Sequence, residues 1–116
     1  MINDSRLLRV ATKARMDFEN RMIDIGLLKK LYQDYNPVDN INDFVEKGLR
    51  MFPKLSCGLA SVYLQNILGG EIVRGKYDGN NHTFLMFEKN TIVDITADQY
   101  SGPTIYVGEL KNPWAL

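Results

Sequence analysis

The chain contains one cysteine and one histidine, Cys57 and His82, followed by an aspartate in an apolar run, Asp94. A cysteine thiolate attacks carbonyl carbon when a nearby imidazole takes its proton and a carboxylate orients that imidazole. These residues occur in the order nucleophile, base and orienting group. They predict nucleophilic catalysis with Cys57, His82 and Asp94 as the catalytic residues.

Each of the three also has a structural interpretation. A lone cysteine is often a small buried hydrophobe, and a histidine at a strand start is often solvated. An aspartate in an apolar strand can be a hydrogen-bonded structural carboxylate. Their placement on three consecutive predicted elements favours catalysis. Zinc is a rival use of the same atoms, but the spacing of a self-sufficient metal site is missing, so neither a metal nor another cofactor is expected.

The predicted position of the thiol suits a nucleophile. Ser56 can cap a helix that starts at Cys57 and ends at Gly69-Gly70. Free amide groups at a helix N-terminus stabilise a thiolate. Gly58 would leave room for a substrate backbone beside the sulfur, and the amides of the first turn could hold an oxyanion.

The pairing of His82 with Asp94 depends on the turn between their strands, HTFLMF and TIVDI. A three-residue loop at 88–90 places both side chains on one face of the sheet as diagonal neighbours. A two-residue loop would place them on opposite faces. In that case Asp98 or Asn81 becomes the next candidate orienting residue.

Residues 1–52 have the periodicity of helices. Caps are available at Asn3, Asp4 and Ser5, and Gly26 is the predicted interruption of the first helix. The next helical stretch ends before Asn36-Pro37. A third helix, capped by Asp39 or Asn40, stops at Pro53.

Residues 53–116 contain the Cys57 helix and then four strand-like runs, EIVRGKY, HTFLMFE, TIVDIT and PTIYVGEL. The two central runs are apolar on both faces, which predicts cover on both sides of the sheet. The sequence thus predicts one α+β domain over residues 1–116, with a helical front at 1–52 packed on a small antiparallel sheet.

The composition of the chain limits the classes of partner that we expect. Fourteen basic residues balance fourteen acidic ones, so neither a nucleic acid nor an anionic membrane surface is expected as partner. No apolar run is long enough for a membrane span, and the start MINDSRLLRV lacks a secretory signal. One cysteine cannot form an intramolecular disulfide. These features predict a cytoplasmic protein, with delivery by a specialised secretion system and the oligomeric state both left open.

The cysteine, histidine and aspartate order resembles the papain-like fold in its transglutaminase-like branch, which includes cysteine peptidases, transglutaminases, arylamine acetyltransferases and bacterial papain-fold toxins. The segment NNHTFLMFEKNTIVDITADQY is similar to a run in small bacterial proteins of that type. The resemblance covers residues 53–116. It implies acyl transfer on amide bonds of a protein or peptide substrate, with Cys57 as nucleophile, His82 as base and then acid, and Asp94 fixing the imidazole tautomer.

The chain departs from many relatives of that fold at Thr83-Phe84, where a small residue and tryptophan are frequent. The only upstream glutamine that could donate to an oxyanion is Gln33, inside a predicted helix, which leaves the Cys57 amide as the expected donor. Gln99, with Ser56 and Gly58, is a further candidate for the oxyanion site or substrate cleft.

Three aromatic residues, Tyr63, Tyr100 and Trp114, could line a cleft, although packing is the commoner role for such side chains. The sequence does not choose among peptidase, glutamine deamidase and transglutaminase. A papain-like module without activity, which binds a partner, is the alternative from a different class.

Overall fold

The protein is described here from a computed structural model that places residues 4–116. Helices α1 (Asp4–Glu19), α2 (Ile25–Tyr35), α3 (Ile41–Met51) and α4 (Cys57–Leu68) precede strands β1 (Glu71–Tyr77), β2 (Asn80–Met86), β3 (Thr91–Asp94), β4 (Tyr106–Glu109) and β5 (Trp114–Ala115). Single 3₁₀ turns cover Glu88–Asn90 and Ala97–Tyr100. The predicted α+β class is confirmed.

Local capping explains most helix boundaries. The Asn40 side chain accepts a hydrogen bond from the Asp43 amide at the start of α3, and Gly69 ends α4 with a positive φ of 77°. These predicted boundaries are confirmed. The predicted cap at Asn3 lies outside the described residues.

The predicted break at Gly26 is wrong, because Gly26 lies in the first turn of α2. The chain leaves α1 at Glu19, and Arg21 takes a left-handed φ of 53°. Asp24 then caps α2, its carboxylate accepting from the Leu27 amide at 3.0 Å. A polar cap, rather than a glycine, therefore fixes where the second helix begins.

The strands form one antiparallel sheet in the order β4-β3-β2-β1-β5. In the β2–β3 hairpin Leu85 pairs with Val93 and Met86 with Ile92, on either side of the 88–90 turn. This register is the one that the three-residue loop predicts. Strand β5 was missed, because its two residues, which pair with Lys76 and Tyr77 of β1, are too short to show a periodic pattern.

The sheet is covered on both faces, as predicted. Leu85 and Val93 pack into the core shared with the helices, whereas Phe84 and Ile92 point to a second core on the other face. The sheet also curls. Tyr106 of one edge strand stacks on Trp114 of the other, with ring centroids 4.0 Å apart. This curl brings side chains from non-adjacent strands together over the second core.

Within residues 4–116 no helix is both long and apolar enough to cross a membrane.

Candidate active site

Cys57 is the first residue of α4, and the helix start lacks a side-chain cap. Ser56 occupies the N-cap position, but its hydroxyl donates to the Lys54 carbonyl at 3.2 Å. The first helical hydrogen bond runs from the Ala60 amide to the Ser56 carbonyl at 2.9 Å. The amides of the first turn therefore face the region of the thiol without a capping oxygen from Ser56.

The thiol lies against the start of β2. Burial acts to raise the pKa of Cys57, but hydrogen bonds to the His82 side chain and to the backbone and hydroxyl of Thr83 outweigh it. The pKa of Cys57 is consequently lower than that of an ordinary thiol. Thr83, at a position where the sequence departs from the papain-like pattern, thus contributes to the environment of the sulfur.

His82 is buried, and each of its ring nitrogens has a neighbour. Nε2 lies 2.7 Å from Asp94 Oδ2, and Nδ1 lies 3.3 Å from Gln99 Nε2. Since the carboxylate accepts from Nε2, Nδ1 is the nitrogen left to exchange a proton with Cys57. Burial acts to lower the pKa of His82, whereas hydrogen bonds and charge from Asp94 and Cys57 raise it to about 9.

Asp94 is 2% exposed, and both of its oxygens are satisfied. Oδ2 accepts from His82 Nε2 and from Trp114 Nε1 at 2.8 Å. Oδ1 accepts from the Thr96 amide at 3.0 Å and from the Thr96 hydroxyl at 3.3 Å. Four donors explain how an apolar strand buries a carboxylate, a cost that is severe without such partners.

Aromatic rings surround the imidazole. Tyr100 meets His82 edge to face with centroids 5.6 Å apart, and Tyr77 does so at 6.1 Å. The Tyr100 hydroxyl donates to the Asn81 carbonyl at 3.0 Å. Burial and the charge of Cys57 both raise the pKa of Tyr100, which places this ring near the sulfur as well. The pair of titratable groups is therefore partly shielded from water.

The two shifts act in the same direction. A lowered thiol pKa beside a raised imidazole pKa moves the pair toward thiolate and imidazolium. The thiolate is the nucleophilic form of cysteine, and the imidazolium can return a proton to a leaving group. The arrangement can therefore support attack on an electrophilic carbon followed by general acid catalysis.

A model of the YunG protein family matches residues 53–113, which are 61 of the 116 residues of the chain. This chain belongs to the YunG family. Neither a curated protein nor a solved structure matches it. The YunG match contains Cys57, His82 and Asp94 and stops one residue before Trp114. The family assignment thus covers the clustered residues, while α1, α2 and α3 lie outside it.

Gly58 and Gln33, the candidates for substrate space and for an upstream oxyanion donor, both have structural roles within the fold. A Cβ on Gly58 would stand 2.9 Å from the Tyr32 ring, so the small residue makes room for a core side chain. Gln33 donates to the Val38 carbonyl at 3.1 Å and accepts from the Val38 amide at 3.3 Å. Its amide group therefore stabilises the end of α2 and is not free to act as an oxyanion donor.

Some of the remaining candidate residues lie away from His82, and others lie near it. Tyr63 lies between helices, where its hydroxyl donates to Asp17 at 3.4 Å. The fallback residue Asp98 pairs with Arg15. Tyr100 and Trp114, in contrast, both belong to the surroundings of His82. Among residues 4–116 no three His, Cys, Asp or Glu side chains converge as a metal site requires.

Sequence reasoning missed the specific contacts of Trp114, Thr96 and Thr83. Trp114 was identified only as a possible cleft aromatic, yet it hydrogen-bonds the carboxylate. A signal was available for Thr96, because a threonine two residues after an aspartate can donate to it locally. No local signal exists for Trp114, since its contact spans 20 residues and depends on the curl of the sheet.

Proposed function

We propose that this chain is a cysteine-dependent acyl-transfer enzyme with a papain-like, transglutaminase-like core, acting on amide bonds of a protein or peptide. Cys57 is the nucleophile, His82 the general base and acid, and Asp94 the orienting carboxylate. The observation that carries the proposal is the placement of one imidazole between a thiol at a helix N-terminus and a carboxylate 2.7 Å from Nε2.

In the first half-reaction the Cys57 thiolate attacks the amide carbon. A carbon–sulfur bond forms, and the carbonyl electron pair moves onto oxygen. When the oxyanion collapses, the carbon–nitrogen bond breaks, and the amine leaves with the proton from His82 Nδ1. Asp94 keeps its contact with Nε2 throughout, so the ring stays in the orientation that delivers this proton.

In the second half-reaction water or an amine attacks the thioester, and the now neutral His82 takes the proton of the attacking group. The carbon–sulfur bond breaks, which regenerates the thiolate and the imidazolium. Water gives hydrolysis of a peptide bond or of a glutamine side-chain amide, and an amine gives transglutamination. The amides of the α4 first turn are suitable donors to both oxyanions.

The proposal is tested by the reaction of purified protein with iodoacetamide, followed as the intact mass of the chain. At neutral pH the wild type should be alkylated much faster than an ordinary cysteine, because a larger fraction is thiolate. His82→Ala should lose this advantage. Asn81→Ala, at the exposed neighbouring position, should keep it. Slow alkylation of the wild type that is indifferent to His82→Ala would refute the proposal.

The type of acyl transfer is tested separately with a set of glutamine-containing peptides. Mass spectrometry distinguishes cleaved peptides, glutamate at the position of glutamine, and amine adducts when a primary amine is present. Cys57→Ala must abolish whichever product appears. Because the thiol must stay reduced, we place the reaction in a reducing compartment such as the cytoplasm.

The alternative is a papain-like binding module without activity. One observation favours it, namely that the upstream Gln33 is occupied by Val38 and supplies no oxyanion donor. This alternative predicts a fast-reacting thiol with no turnover of any amide, or a slow-reacting thiol altogether. The two assays above separate both outcomes from the enzyme.

A further inference from the structure

Gln99 lies beside His82 Nδ1, the nitrogen left to exchange a proton with Cys57. It lies in the 3₁₀ turn Ala97–Tyr100, is half-buried, and places Nε2 3.3 Å from His82 Nδ1. Any carbonyl attacked by Cys57 must come close to the same nitrogen, because Nδ1 protonates the leaving group. The Gln99 amide is therefore within reach of the reacting atoms.

The protonation state of His82 decides what this amide can do. A neutral imidazole presents a lone pair at Nδ1, which the Gln99 amide can satisfy as donor. Once Nδ1 carries a proton it becomes a donor itself, and the Gln99 N–H groups lose their acceptor there. They are then free for an oxygen anion beside the sulfur. The donor is released in the state that precedes attack.

We propose that Gln99 supplies the side-chain hydrogen bond to the oxyanion, together with the amides of the α4 first turn, and that Arg15 of α1 holds it in place. The inference rests on the proposed acyl transfer and names the oxyanion donor that Gln33 does not provide. Gln99 is assigned contact with the reacting atoms, whereas Arg15 is a positioning residue.

The hold of Arg15 on the Gln99 turn is direct. Its guanidinium makes two parallel contacts with Asp98, Nη1 to Oδ1 at 2.7 Å and Nη2 to Oδ2 at 2.9 Å. Nη1 also donates to the Ile95 carbonyl at 2.8 Å and to the Thr104 carbonyl at 3.4 Å. The Arg15 side chain is 7% exposed. Such a buried fork fixes both ends of the 95–104 segment around Gln99.

Through the Arg15 contact, the helical front at residues 1–52 supports the candidate site. Arg15 lies outside the YunG match, and its partners 80 to 89 positions later lie inside it. A helix of the front therefore stabilises the turn that carries Gln99.

Two probes of Cys57 separate oxyanion stabilisation from reactivity of the thiol. With iodoacetamide, the Cys57 sulfur attacks a saturated carbon and displaces iodide, so no oxyanion forms. p-Nitrophenyl acetate is attacked at its carbonyl, so a carbon–sulfur bond forms, an oxyanion appears, and its collapse expels p-nitrophenolate with the bonding pair. Only the second reaction uses an oxyanion donor.

Gln99→Ala should lower the p-nitrophenolate burst rate by about 100-fold, the lower end of the range for loss of one such donor, and leave alkylation within about threefold of wild type. Gln99→Glu should lower the burst further, because a carboxylate repels the oxyanion. Gln65→Ala, which removes an exposed glutamine of α4, should change neither rate. A parallel fall in both rates, or no fall in either, would overturn the assignment to Gln99.

Arg15 is tested by the ratio of the two rates, which a general loss of stability would not change. Arg15→Lys should lower the burst relative to alkylation, since lysine cannot make the double contact with Asp98. Asp98→Asn is the milder companion if Arg15→Lys fails to fold. An unchanged ratio in the folded variant overturns the positioning role. If the wild type shows neither fast alkylation nor a burst, the proposed function itself fails. That result differs from failure of the Gln99 assignment and from failure of the Arg15 role, both of which require an active wild type.

Discussion

Asp94→Asn most directly tests how the negative charge of Asp94 affects both the stability of the fold and the reactivity of Cys57. The change keeps the size of the side chain and removes its negative charge. In the wild type each carboxylate oxygen accepts from two donors, His82 and Trp114 on one side and the Thr96 amide and hydroxyl on the other. An asparagine has one acceptor oxygen, so one of these pairs must face an NH₂ group.

The less costly orientation turns the amide oxygen toward His82 and Trp114. The NH₂ group then faces Thr96, whose hydroxyl can rotate to accept but whose buried amide has lost its partner. A buried unsatisfied donor costs about 1–3 kcal/mol, and weakening the two charge-assisted bonds adds to that. We expect the free energy of unfolding to fall by about 2–4 kcal/mol.

The effect on the thiol follows from His82. Its pKa of about 9 depends on Asp94, and without the carboxylate charge that pKa should fall toward or below its ordinary 6.5. Each unit lost reduces the thiolate–imidazolium population about tenfold once the pair is no longer saturated. We expect alkylation by iodoacetamide at neutral pH to slow by about 10- to 100-fold.

Alkylation is followed as intact mass, and stability is measured by urea unfolding. Asp17→Asn is the matched control. Asp17 is also a buried carboxylate, but it accepts from Lys13 at 2.6 Å and from Tyr63 at 3.4 Å between helices. Its loss should lower stability without slowing alkylation. If folded Asp94→Asn reacts as fast as wild type, the carboxylate does not sustain the ion pair and our reasoning about the site is wrong.

Three further outcomes are expected. The alkylation rate of Cys57 should have its pH midpoint below that of an ordinary thiol, and His82→Ala should move the midpoint upward, because the hydrogen bond and charge of His82 lower the thiol pKa; equal midpoints in both proteins would exclude the ion pair. Trp114→Phe removes one donor to Asp94, so urea unfolding should show a loss of about 1–3 kcal/mol with less effect on alkylation than Asp94→Asn. Gly75→Ala would push a Cβ into the Ala115 backbone carbonyl of β5 and the Phe84 ring, so the melting temperature should fall. An unchanged melting temperature would contradict the described β1–β5 contact.

The helices and the hairpin were predictable because local rules determine them. Asn40 begins α3 through its side-chain hydrogen bond, and Gly69 ends α4 through its positive φ. The β2–β3 register follows from loop length, since three residues at 88–90 leave only one pairing that keeps both apolar faces buried. The proximity of His82 and Asp94 follows from the same loop length, but the sequence left a two-residue loop open, which would have separated them.

Other parts of the site depend on contacts that no local pattern encodes. The Trp114 bond to Asp94 joins β5 to β3, although β1 and β2 separate these strands in the sheet. The Arg15 contact with Asp98 spans 83 residues. In the sequence Arg15 reads as one more polar residue between apolar helix positions, and only the packed structure shows that it is buried.

These long-range contacts have a physical consequence for how the candidate site forms. His82 and Asp94 come together with the hairpin, but the second donor to the carboxylate comes from the last strand and the support of Gln99 comes from the first helix. The sheet must therefore curl, and α1 must dock, before the carboxylate and the turn have all their partners. Reactivity of Cys57 should accordingly depend on the folded state of both ends of the chain, although its own helix and the facing hairpin are local elements. A thiol activated only by tertiary assembly is protected from side reactions while the chain is still folding.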